Sequence, residues 1–344
     1  MKACVLESVG NIIYKDVPDP ILKEGEVLIK VKACGICSSD IPRIFVTGTY
    51  TFPTIPGHEF SGEIVDVGES TDKSLIGKRA VAFPLMPCRK CHSCKAEEYS
   101  RCENYNYFGS RCDGAFAEYI SVPVWNIVTF SDNIPYKIAA LCEPASVARH
   151  CVDAAKIRRG DTVAVIGTGT IGMIAAVWAR IFGASKVILV GRNSDKFAFA
   201  QKLGIDCYID SSSETDDDLK KMTNNLGTDV VLECVGSSQA INTAINFVKK
   251  GGRVVLTGNP DSNITLKKQV YWKILRGELT VKGTWNSSFN NRKNDWETTI
   301  EYLEKDKLPI GDLITHTFSL SEYRKAFDLM RLRNELSIKV MFTM

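Results

Sequence analysis

The sequence predicts an α/β protein with two domains, a β-rich one followed by a doubly wound parallel sheet. At 344 residues, the chain is long for a single hydrophobic core. Residues 1–150 are rich in glycine, proline and short β-branched segments bounded by turns. From Asp161 onwards, strands alternate with helical segments, as in a parallel sheet covered by helices. The expected boundaries are 1–150 for the β-rich domain, 151–285 for the parallel-sheet domain and 286–344 for a C-terminal segment that returns to the first domain.

The strands are predicted from short apolar or β-branched runs. The first lies within residues 1–10, where Glu7 interrupts the apolar stretch that a signal peptide would need. Further strands of the first domain are expected at Val27–Lys32, Gly62–Val67 and Arg79–Phe83. Those of the second domain are expected at Thr162–Gly167, Lys186–Gly191, Asp229–Val235 and Arg253–Gly258.

Helical segments and a final strand complete the prediction. A buried helix over Ile171–Phe182 is ended by Gly183. The polar, acidic run Ser211–Asp218 indicates a solvated connection and the start of a helix. The amphipathic stretch Glu322–Leu332 and a last strand at Ser337–Thr343 form the returning segment.

The composition is that of an intracellular globular protein. Hydrophobic residues make up 44% and charged residues 24% of the chain, and no apolar stretch is long enough to cross a bilayer. The net charge of +3 is too small to indicate a nucleic acid partner. Twelve cysteines in a chain of this length are expected to be reduced thiols and metal ligands rather than disulfides. We therefore expect a cytoplasmic protein that binds neither membrane nor nucleic acid.

Four clustered cysteines, Cys88, Cys91, Cys94 and Cys102, predict a structural zinc site. Their Cys-x2-Cys-x2-Cys-x7-Cys spacing lets four thiolates converge from one short lobe at residues 88–102 and close the tetrahedral shell that Zn2+ prefers. Incidental buried thiols are the alternative, but the residues between the cysteines are more typical of an exposed loop. A zinc finger that binds DNA would also cluster cysteines, but no basic stripe accompanies them here.

A glycine-rich turn after the first strand of the second domain predicts a dinucleotide-binding site. Gly167, Gly169 and Gly172 form a GxGxxG pattern that ends an apolar strand and opens a helix. In this context the glycines allow the tight turn, the approach of the pyrophosphate and close helix packing. Thr170 and Ile171 begin the helix, whose N-terminal amides would hold the phosphates.

Three polar residues of the first domain are candidate ligands for a second, catalytic zinc, which needs three protein ligands and an open position. They are Cys37, His58 and Glu143. Each also has an ordinary structural interpretation, as a small core thiol, a buried histidine or a carboxylate at a helix start. Their spacing does not decide between the two interpretations.

The sequence contexts of these residues resemble motifs of the zinc-dependent medium-chain dehydrogenase/reductase family. The similar segments are ACGICSSD at 33–40, GHEFSG at 57–62 and LCEPASV at 141–147. The resemblance covers essentially the whole chain and implies a GroES-like catalytic domain and a Rossmann nucleotide-binding domain. It also implies that Cys37, His58 and Glu143 hold a catalytic zinc, with Glu59 able to approach or replace a ligand, so that two zinc ions per chain are expected. Cys34 and Cys142 are rival thiols.

One branch of this family is most similar in further segments. The segments 40–45, 108–119, 273–281 and 283–286 resemble galactitol-1-phosphate 5-dehydrogenases, and sorbitol dehydrogenases share part of this similarity. The resemblance implies hydride transfer between a nicotinamide cofactor and a secondary alcohol of a sugar alcohol, with a polyol phosphate such as galactitol 1-phosphate favoured over a free polyol. Ser39 is the expected first proton acceptor, because Pro42 stands near the position of the relay histidine of simple alcohol dehydrogenases. Arg43 is a candidate phosphate contact, since arginine binds phosphate through two parallel hydrogen bonds.

The end of the second strand of the parallel sheet predicts a preference for NADP over NAD. NAD-specific sites carry Asp or Glu there to bind the adenosine ribose, and that carboxylate repels a 2′-phosphate. Here the strand ends in Gly191, and Arg192 and Asn193 follow, with Ser194 and Lys196 as further hydrogen-bond donors. The alternative is a solvated turn in which Asp195 binds the ribose of NAD.

A non-catalytic nucleotide sensor on the same fold is the alternative to an enzyme, because a fold does not determine a function. The presence of Cys37, Ser39, His58 and Glu143 together favours an enzyme. A homo-oligomer, either a dimer or a tetramer, is also expected.

Overall fold

The computed structural model describes residues 1–192, 194–212 and 215–344. It divides into two compact units, the first formed by Met1–Glu143 with Ser288–Met344 and the second by Pro144–Ser287. No helix in the described residues is long and apolar enough to cross a membrane.

The N-terminal part of the first unit consists mainly of strands. They are β1 (Lys2–Ser8), β2 (Asn11–Asp16), β3 (Glu26–Ile36), β4 (Glu59–Val67), β5 (Arg79–Ala82), β6 (Leu85–Met86), β7 (Asn106–Tyr107), β8 (Tyr119–Pro123) and β9 (Ile127–Phe130). Its helices are short, namely α1 (Asp40–Pro42), α2 (His92–Lys95) and α3 (Tyr136–Ala139).

The second unit alternates strands with helices. The strands are β10 (Thr162–Ile166), β11 (Lys186–Gly191), β12 (Cys207–Asp210), β13 (Thr228–Glu233), β14 (Val248–Leu256) and β15 (Thr280–Gly283). The helices are α4 (Cys142–Ala154), whose first two residues belong to the first unit, α5 (Thr170–Ile181), α6 (Phe197–Lys202), α7 (Thr215–Met222), α8 (Ser238–Phe247) and α9 (Lys268–Arg276). The strands form one parallel sheet in the order β12-β11-β10-β13-β14-β15, which is the doubly wound order of a Rossmann fold.

The C-terminal segment completes the sheet of the first unit. It contains α10 (Asp295–Glu304), β16 (Ile314–Ser319), α11 (Tyr323–Leu332) and β17 (Lys339–Thr343). The sheet order is β16-β17-β3-β4-β5-β9, and β8 also pairs with β3. Because β17 runs antiparallel to β3 with Val340 opposite Ile36, the preceding Lys339 lies beside the end of β3.

The strands and helices predicted from apolar runs are confirmed, with shifted ends. The predicted strand Arg253–Gly258 lies in β14, which begins earlier, at Val248. The predicted helix Ile171–Phe182 is α5, and Gly183 follows it with a φ of +100°, a backbone conformation that favours glycine. Both cores are apolar, and helix α5 is buried along most of its length because parallel sheets are covered on their faces.

Candidate active site

The ends of β3 and β4 bring together Cys37, His58 and Glu59. Cys37 follows the last residue of β3, and His58 precedes β4, which begins at Glu59. Since the two strands are antiparallel with Gly35 opposite Glu59, these three residues share one end of the sheet. One potential ligand atom from each lies within 4.8 Å of the others. A side chain at Gly35 would collide with the Glu59 carboxylate, so the glycine leaves room for this acid.

Glu59 forms a buried ion pair with Lys339 of β17. Lys339 Nζ donates to Glu59 Oε2 at 2.5 Å and to the Ile36 carbonyl at 3.2 Å. The two side chains are only 3% and 2% exposed. Burial by itself would lower the pKa of Lys339, but the charges of Glu59 and Cys37 and the hydrogen bond to Glu59 raise it above its ordinary value. The lysine therefore keeps a positive charge beside the cluster.

His58 faces a second buried acid, Asp40. The distance from His58 Nδ1 to Asp40 Oδ1 is 3.5 Å, and neither atom has a hydrogen-bond partner among the described residues. The other oxygen, Asp40 Oδ2, accepts from the Cys37 amide at 2.9 Å. Burial raises the pKa of Asp40, although His58 and Arg43 oppose the shift. With Nδ1 turned to a carboxylate, Nε2 is left to bind a metal, which is the arrangement that carboxylate–histidine pairs adopt at zinc.

Ser39 and Arg43 extend the cluster from Cys37. Ser39 Oγ donates to Cys37 Sγ at 3.2 Å, and Arg43 Nη1 donates to Ser39 Oγ at 2.9 Å. Burial, followed by the charges of Glu59 and Asp40, raises the pKa of Cys37 to about 11. A divalent cation would favour the thiolate, because coordination by zinc deprotonates a thiol. The donor set of thiol, imidazole and carboxylate thus fits Zn2+.

Glu143 lies near this cluster but outside the group of three whose ligand atoms are within 4.8 Å. It is the second residue of α4 and is buried. Burial first, and then the charges of Glu59 and Cys37, raise the pKa of Glu143 to about 8. Tyr107 Oη lies 3.5 Å from Glu143 Oε1. The rival thiols Cys34 and Cys142 contact the carbonyls of Gly35 and Trp296 and belong to neither potential metal group of the described residues.

The four lobe cysteines converge as their spacing predicts. Their sulfur atoms all lie within 4.8 Å of one another, with 3.9 Å between Cys88 and Cys94 and 4.0 Å between Cys91 and Cys102. Four sulfurs bound to zinc at about 2.3 Å would lie roughly 3.8 Å apart in a tetrahedron. Hydrogen bonds from the backbone at Lys90 and Cys91 lower the pKa of Cys88 to about 6. All twelve cysteines are free thiols in the described structure.

The glycine-rich turn has the geometry of a dinucleotide-binding site. Gly167 follows β10 with a φ of +115°, and Gly169 is the N-cap of α5, which starts at Thr170 and Ile171. A side chain at Gly172 would collide with the carbonyl of Gly167. The turn and the helix N-terminus are therefore held close together at the carboxyl end of the sheet, where nucleotide phosphates bind in such folds.

The end of β11 leaves little room for a side chain. Gly191 is buried, and a Cβ atom there would collide with Thr168 of the glycine-rich turn. Arg192 is exposed and forms no ion pair within the described part of the chain, whereas Asn193 lies outside the described residues. No carboxylate can thus occupy position 191 unless Thr168 moves.

Comparison with known proteins places both units in one family. The family model "Alcohol dehydrogenase GroES-like domain" matches residues 23–132, and "Zinc-binding dehydrogenase" matches residues 170–305. Galactitol 1-phosphate 5-dehydrogenase of Escherichia coli K12 is 33% identical over 329 residues, covering 95% of each chain. This chain belongs to the zinc-binding alcohol dehydrogenase family.

Two solved structures of this family have the same fold. The crystal structure of galactitol-1-phosphate dehydrogenase from Escherichia coli superposes with a TM-score of 0.93 at 32% identity and covers 100% of both chains. A zinc-binding dehydrogenase from Sinorhizobium meliloti 1021, bound to NADP, has a TM-score of 0.91 at 30% identity and covers 100% of this chain and 99% of the other. The predicted GroES-like and Rossmann folds are confirmed, and the chain is an oxidoreductase that acts on alcohols.

Sequence reasoning missed two residues that contact the candidate site, Lys339 and Tyr107. The signal for Lys339 is a lysine within the apolar run Ile338–Phe342, since a buried lysine requires a charged partner. Tyr107 packs its ring edge-on against His58, with 5.6 Å between ring centroids. Its position in the sequence, between Asn106 and Phe108, carries no comparable signal.

Proposed function

We propose that this chain is a zinc-dependent polyol dehydrogenase in which Cys37 and His58 hold the catalytic zinc together with Glu59 or Glu143. The observation that carries the proposal is the convergence of Cys37, His58 and Glu59 within 4.8 Å. When bound, zinc lowers the pKa of a substrate hydroxyl and the nicotinamide takes up hydride.

The surrounding residues position these ligands and move the proton. Ser39, whose Oγ lies 3.2 Å from Cys37 Sγ, would be the first acceptor in a relay: it takes the proton of the substrate hydroxyl while its own hydroxyl proton passes on to solvent. Arg43 orients Ser39 by donating to the same Oγ. Asp40 places a carboxylate oxygen 3.5 Å from His58 Nδ1, on the side of the ring away from the proposed metal, and Lys339 balances the charge of Glu59.

The four lobe cysteines are proposed to hold a second, structural zinc. Two zinc ions per chain also distinguish an enzyme from a nucleotide sensor that has lost catalysis, which would hold only the lobe zinc. Metal analysis of purified protein is the test: one zinc per chain, unchanged in the Cys37→Ala variant, would favour the sensor.

The proposed substrate is a secondary alcohol of a sugar alcohol, specifically a polyol phosphate such as galactitol 1-phosphate. The similarity to galactitol 1-phosphate 5-dehydrogenase supports this substrate. A free polyol such as sorbitol is the alternative. A screen of polyols and their phosphates with both nicotinamide cofactors decides between them, and equal catalytic efficiency for a polyol and its phosphate would contradict the phosphate part.

The proposed cofactor is NADP, with NAD as the alternative. The dinucleotide would lie on Gly167, Gly169, Thr170, Ile171 and Gly172. Support for the 2′-phosphate comes from the collision that a side chain at Gly191 would cause and from the exposed Arg192. Asn193 is proposed as a further donor on sequence alone. The Sinorhizobium meliloti relative bound to NADP is consistent with this choice.

We further propose a cytoplasmic homo-oligomer. The twelve free thiols are those expected of a reducing compartment. For assembly, β15 is the outermost strand of the parallel sheet, and all four of its residues are exposed. An unpaired strand edge is a template for pairing with another chain, and a second copy offers the same edge.

A further inference from the structure

Arg111 carries a guanidinium that is held in place without an acidic partner. Its Cζ lies 3.9 Å from the ring centroid of Tyr50 and 4.4 Å from that of Tyr105. In the described part of the chain, no carboxylate forms an ion pair with it. Stacking on aromatic faces fixes a planar guanidinium while its N–H groups, at the edge of the plane, remain able to donate.

The loop that bears Arg111 is fixed to the backbone next to His58. The amide of Arg111 donates to the Tyr107 carbonyl at 2.9 Å, which closes a tight turn. After this turn, a side chain at Gly114 would collide with the carbonyl of Gly57, and the same carbonyl accepts from the Ala115 amide at 2.9 Å. Because Gly57 immediately precedes His58, these contacts fix the loop beside the proposed zinc ligands.

A row of aromatic rings leads from Arg111 to the cluster. Tyr105, which stacks on Arg111, has its ring centroid 6.3 Å from that of Tyr107. Tyr107 in turn lies 5.6 Å from the imidazole of His58. Only the rings of Tyr105 and Tyr107 thus separate the Arg111 guanidinium from the imidazole of His58 along this row.

The other arginine of the site, Arg43, is already engaged. Its Nη1 donates to Ser39 Oγ and lies 3.7 Å from the buried Asp40 Oδ1. A phosphate that drew Arg43 away would remove the hydrogen bond that orients Ser39. Among the described residues, the Arg111 side chain has no comparable hydrogen bond or ion pair.

We propose that Arg111 binds the phosphate group of the substrate, with Tyr50 and Tyr105 holding its guanidinium in place. This inference rests on the proposed function as a polyol phosphate dehydrogenase. It transfers the phosphate contact from Arg43, whose role becomes the orientation of Ser39. Arginine suits a phosphate monoester because its N–H groups match two of the phosphate oxygens.

The test compares Arg111→Gln with Arg43→Gln in the zinc-loaded, full-length protein. Catalytic efficiency is measured with galactitol 1-phosphate and with free galactitol. The Kd of inorganic phosphate is measured by calorimetry with saturating NADP+ present, so that a cofactor phosphate site is filled. Arg331→Gln is the control, since Arg331 also stacks on a ring, that of Phe45 at 4.9 Å, but is exposed and paired with Asp328.

We expect Arg111→Gln to lower kcat/KM for the phosphate ester about ten- to a hundredfold, mainly through KM, as for the loss of a hydrogen bond to a charged group. Free galactitol should be used as well as before, and inorganic phosphate should bind correspondingly more weakly. Arg111→Lys should recover part of the loss, because lysine keeps the charge but not the stacked planar donor. Arg331→Gln should change none of these values.

Three results would overturn the assignment. Equal losses with both substrates would show that Arg111 has only a structural role. A phosphate preference lost in Arg43→Gln but kept in Arg111→Gln would return the contact to Arg43. If the wild type oxidises no polyol, the proposed function fails, and the Kd of inorganic phosphate decides separately: the same value in wild type and Arg111→Gln would reject Arg111 as a phosphate site.

Discussion

At the residue scale, the charges around Cys37 are balanced by partners that come from distant parts of the chain. Glu59 and Lys339 are 280 residues apart in sequence, yet they form one buried ion pair. Removing one partner of such a pair leaves an uncompensated charge in the core, which costs far more than the intact pair contributes. The lysine therefore matters for stability as well as for the metal cluster.

Replacing Lys339 by Met should lower the free energy of unfolding by about 3 kcal/mol, because Glu59 would stay buried without a partner. Urea denaturation in the presence of a chelator measures this change without a contribution from zinc. The double variant Lys339→Met with Glu59→Gln should recover part of the loss. Lys325→Met, which breaks an exposed pair with Glu322, is the control and should change stability far less, because water screens an exposed pair. Equal effects of the buried and exposed substitutions would contradict this account.

Removing the thiol of Cys37 should remove one zinc and nearly all turnover. The reason is that the other ligands of the cluster, an imidazole and a carboxylate, do not make three protein ligands by themselves. Nucleotide binding should survive, since the glycine-rich turn belongs to the other unit. Zinc content, turnover and cofactor titration together test this, with Cys34→Ala as the matched control. An active Cys37→Ala enzyme that keeps two zinc ions would identify another residue as the ligand.

The proposed preference for NADP depends on Gly191 and Arg192 at the end of β11. Arg192→Ala should reduce kcat/KM with NADP+ by about tenfold or more, the loss of one charged hydrogen bond, and leave NAD+ nearly unaffected. The measurement is catalytic efficiency with each cofactor at a fixed concentration of alcohol, and Lys202→Ala serves as a control for the loss of another exposed positive charge. A preference for NAD+ that Arg192→Ala does not change would overturn the NADP proposal.

At the scale of elements, the lobe of residues 88–102 contains little regular structure of its own. Only α2 and a 3-10 turn at Tyr99–Arg101 lie between Cys88 and Cys102, and the backbone hydrogen bonds within the lobe are local, so that the cysteine side chains are the main link between its ends. In such a segment metal binding is coupled to folding, so the free energy of metal binding contributes to the stability of the folded lobe.

Cys94→Ser should therefore lower thermal stability or assembly and reduce the zinc content to one ion per chain. Any fraction that folds should keep the reaction mechanism, because Cys94 belongs to the lobe group and not to the cluster with His58. Thermal unfolding with and without a chelator, together with metal analysis, checks this. Cys207→Ser is the control, since Cys207 belongs to neither metal group. A Cys94→Ser variant that keeps full stability and two metals would rule out the structural role.

The elements that were predictable from sequence are those with a continuous apolar run or a recognisable motif. β10, α5 and the glycine-rich turn between them carry both signals, and the structure confirms them. β12 and β15 have only four residues each, too few to show a period. Cys37 and His58 were found through the motifs around them. Lys339 and Arg111 were not, because their partners meet them only after the sheet and loops have formed.

At the scale of the whole molecule, the two sheets end in different kinds of edges. In the first unit, the C-terminal strands β16 and β17 extend the sheet beyond β3. In the second unit, β15 leaves one edge of the parallel sheet with exposed side chains and with no further strand among the described residues. Exposed apolar residues lie on and near this edge, Val281 at 38% and Trp285 at 51%. Exposed apolar side chains next to an open strand edge are a common feature of protein–protein interfaces.

Proline at position 281 should therefore convert the proposed oligomer to smaller species. The amide of Thr284 donates to the Leu256 carbonyl of β14, and amides alternate in direction along a strand, so the amide of Lys282 also faces β14 and that of Val281 faces the open edge. Proline at 281 removes this outward donor, and a strand that lacks a donor pairs less well with a neighbouring chain. Sedimentation velocity over a range of protein concentrations measures the change in mass, and Val281→Thr, which keeps the amide, tests the change of side chain alone. Circular dichroism must show that the proline variant is folded, and a folded Val281→Pro protein with the mass of the wild type would exclude β15 as the contact between copies.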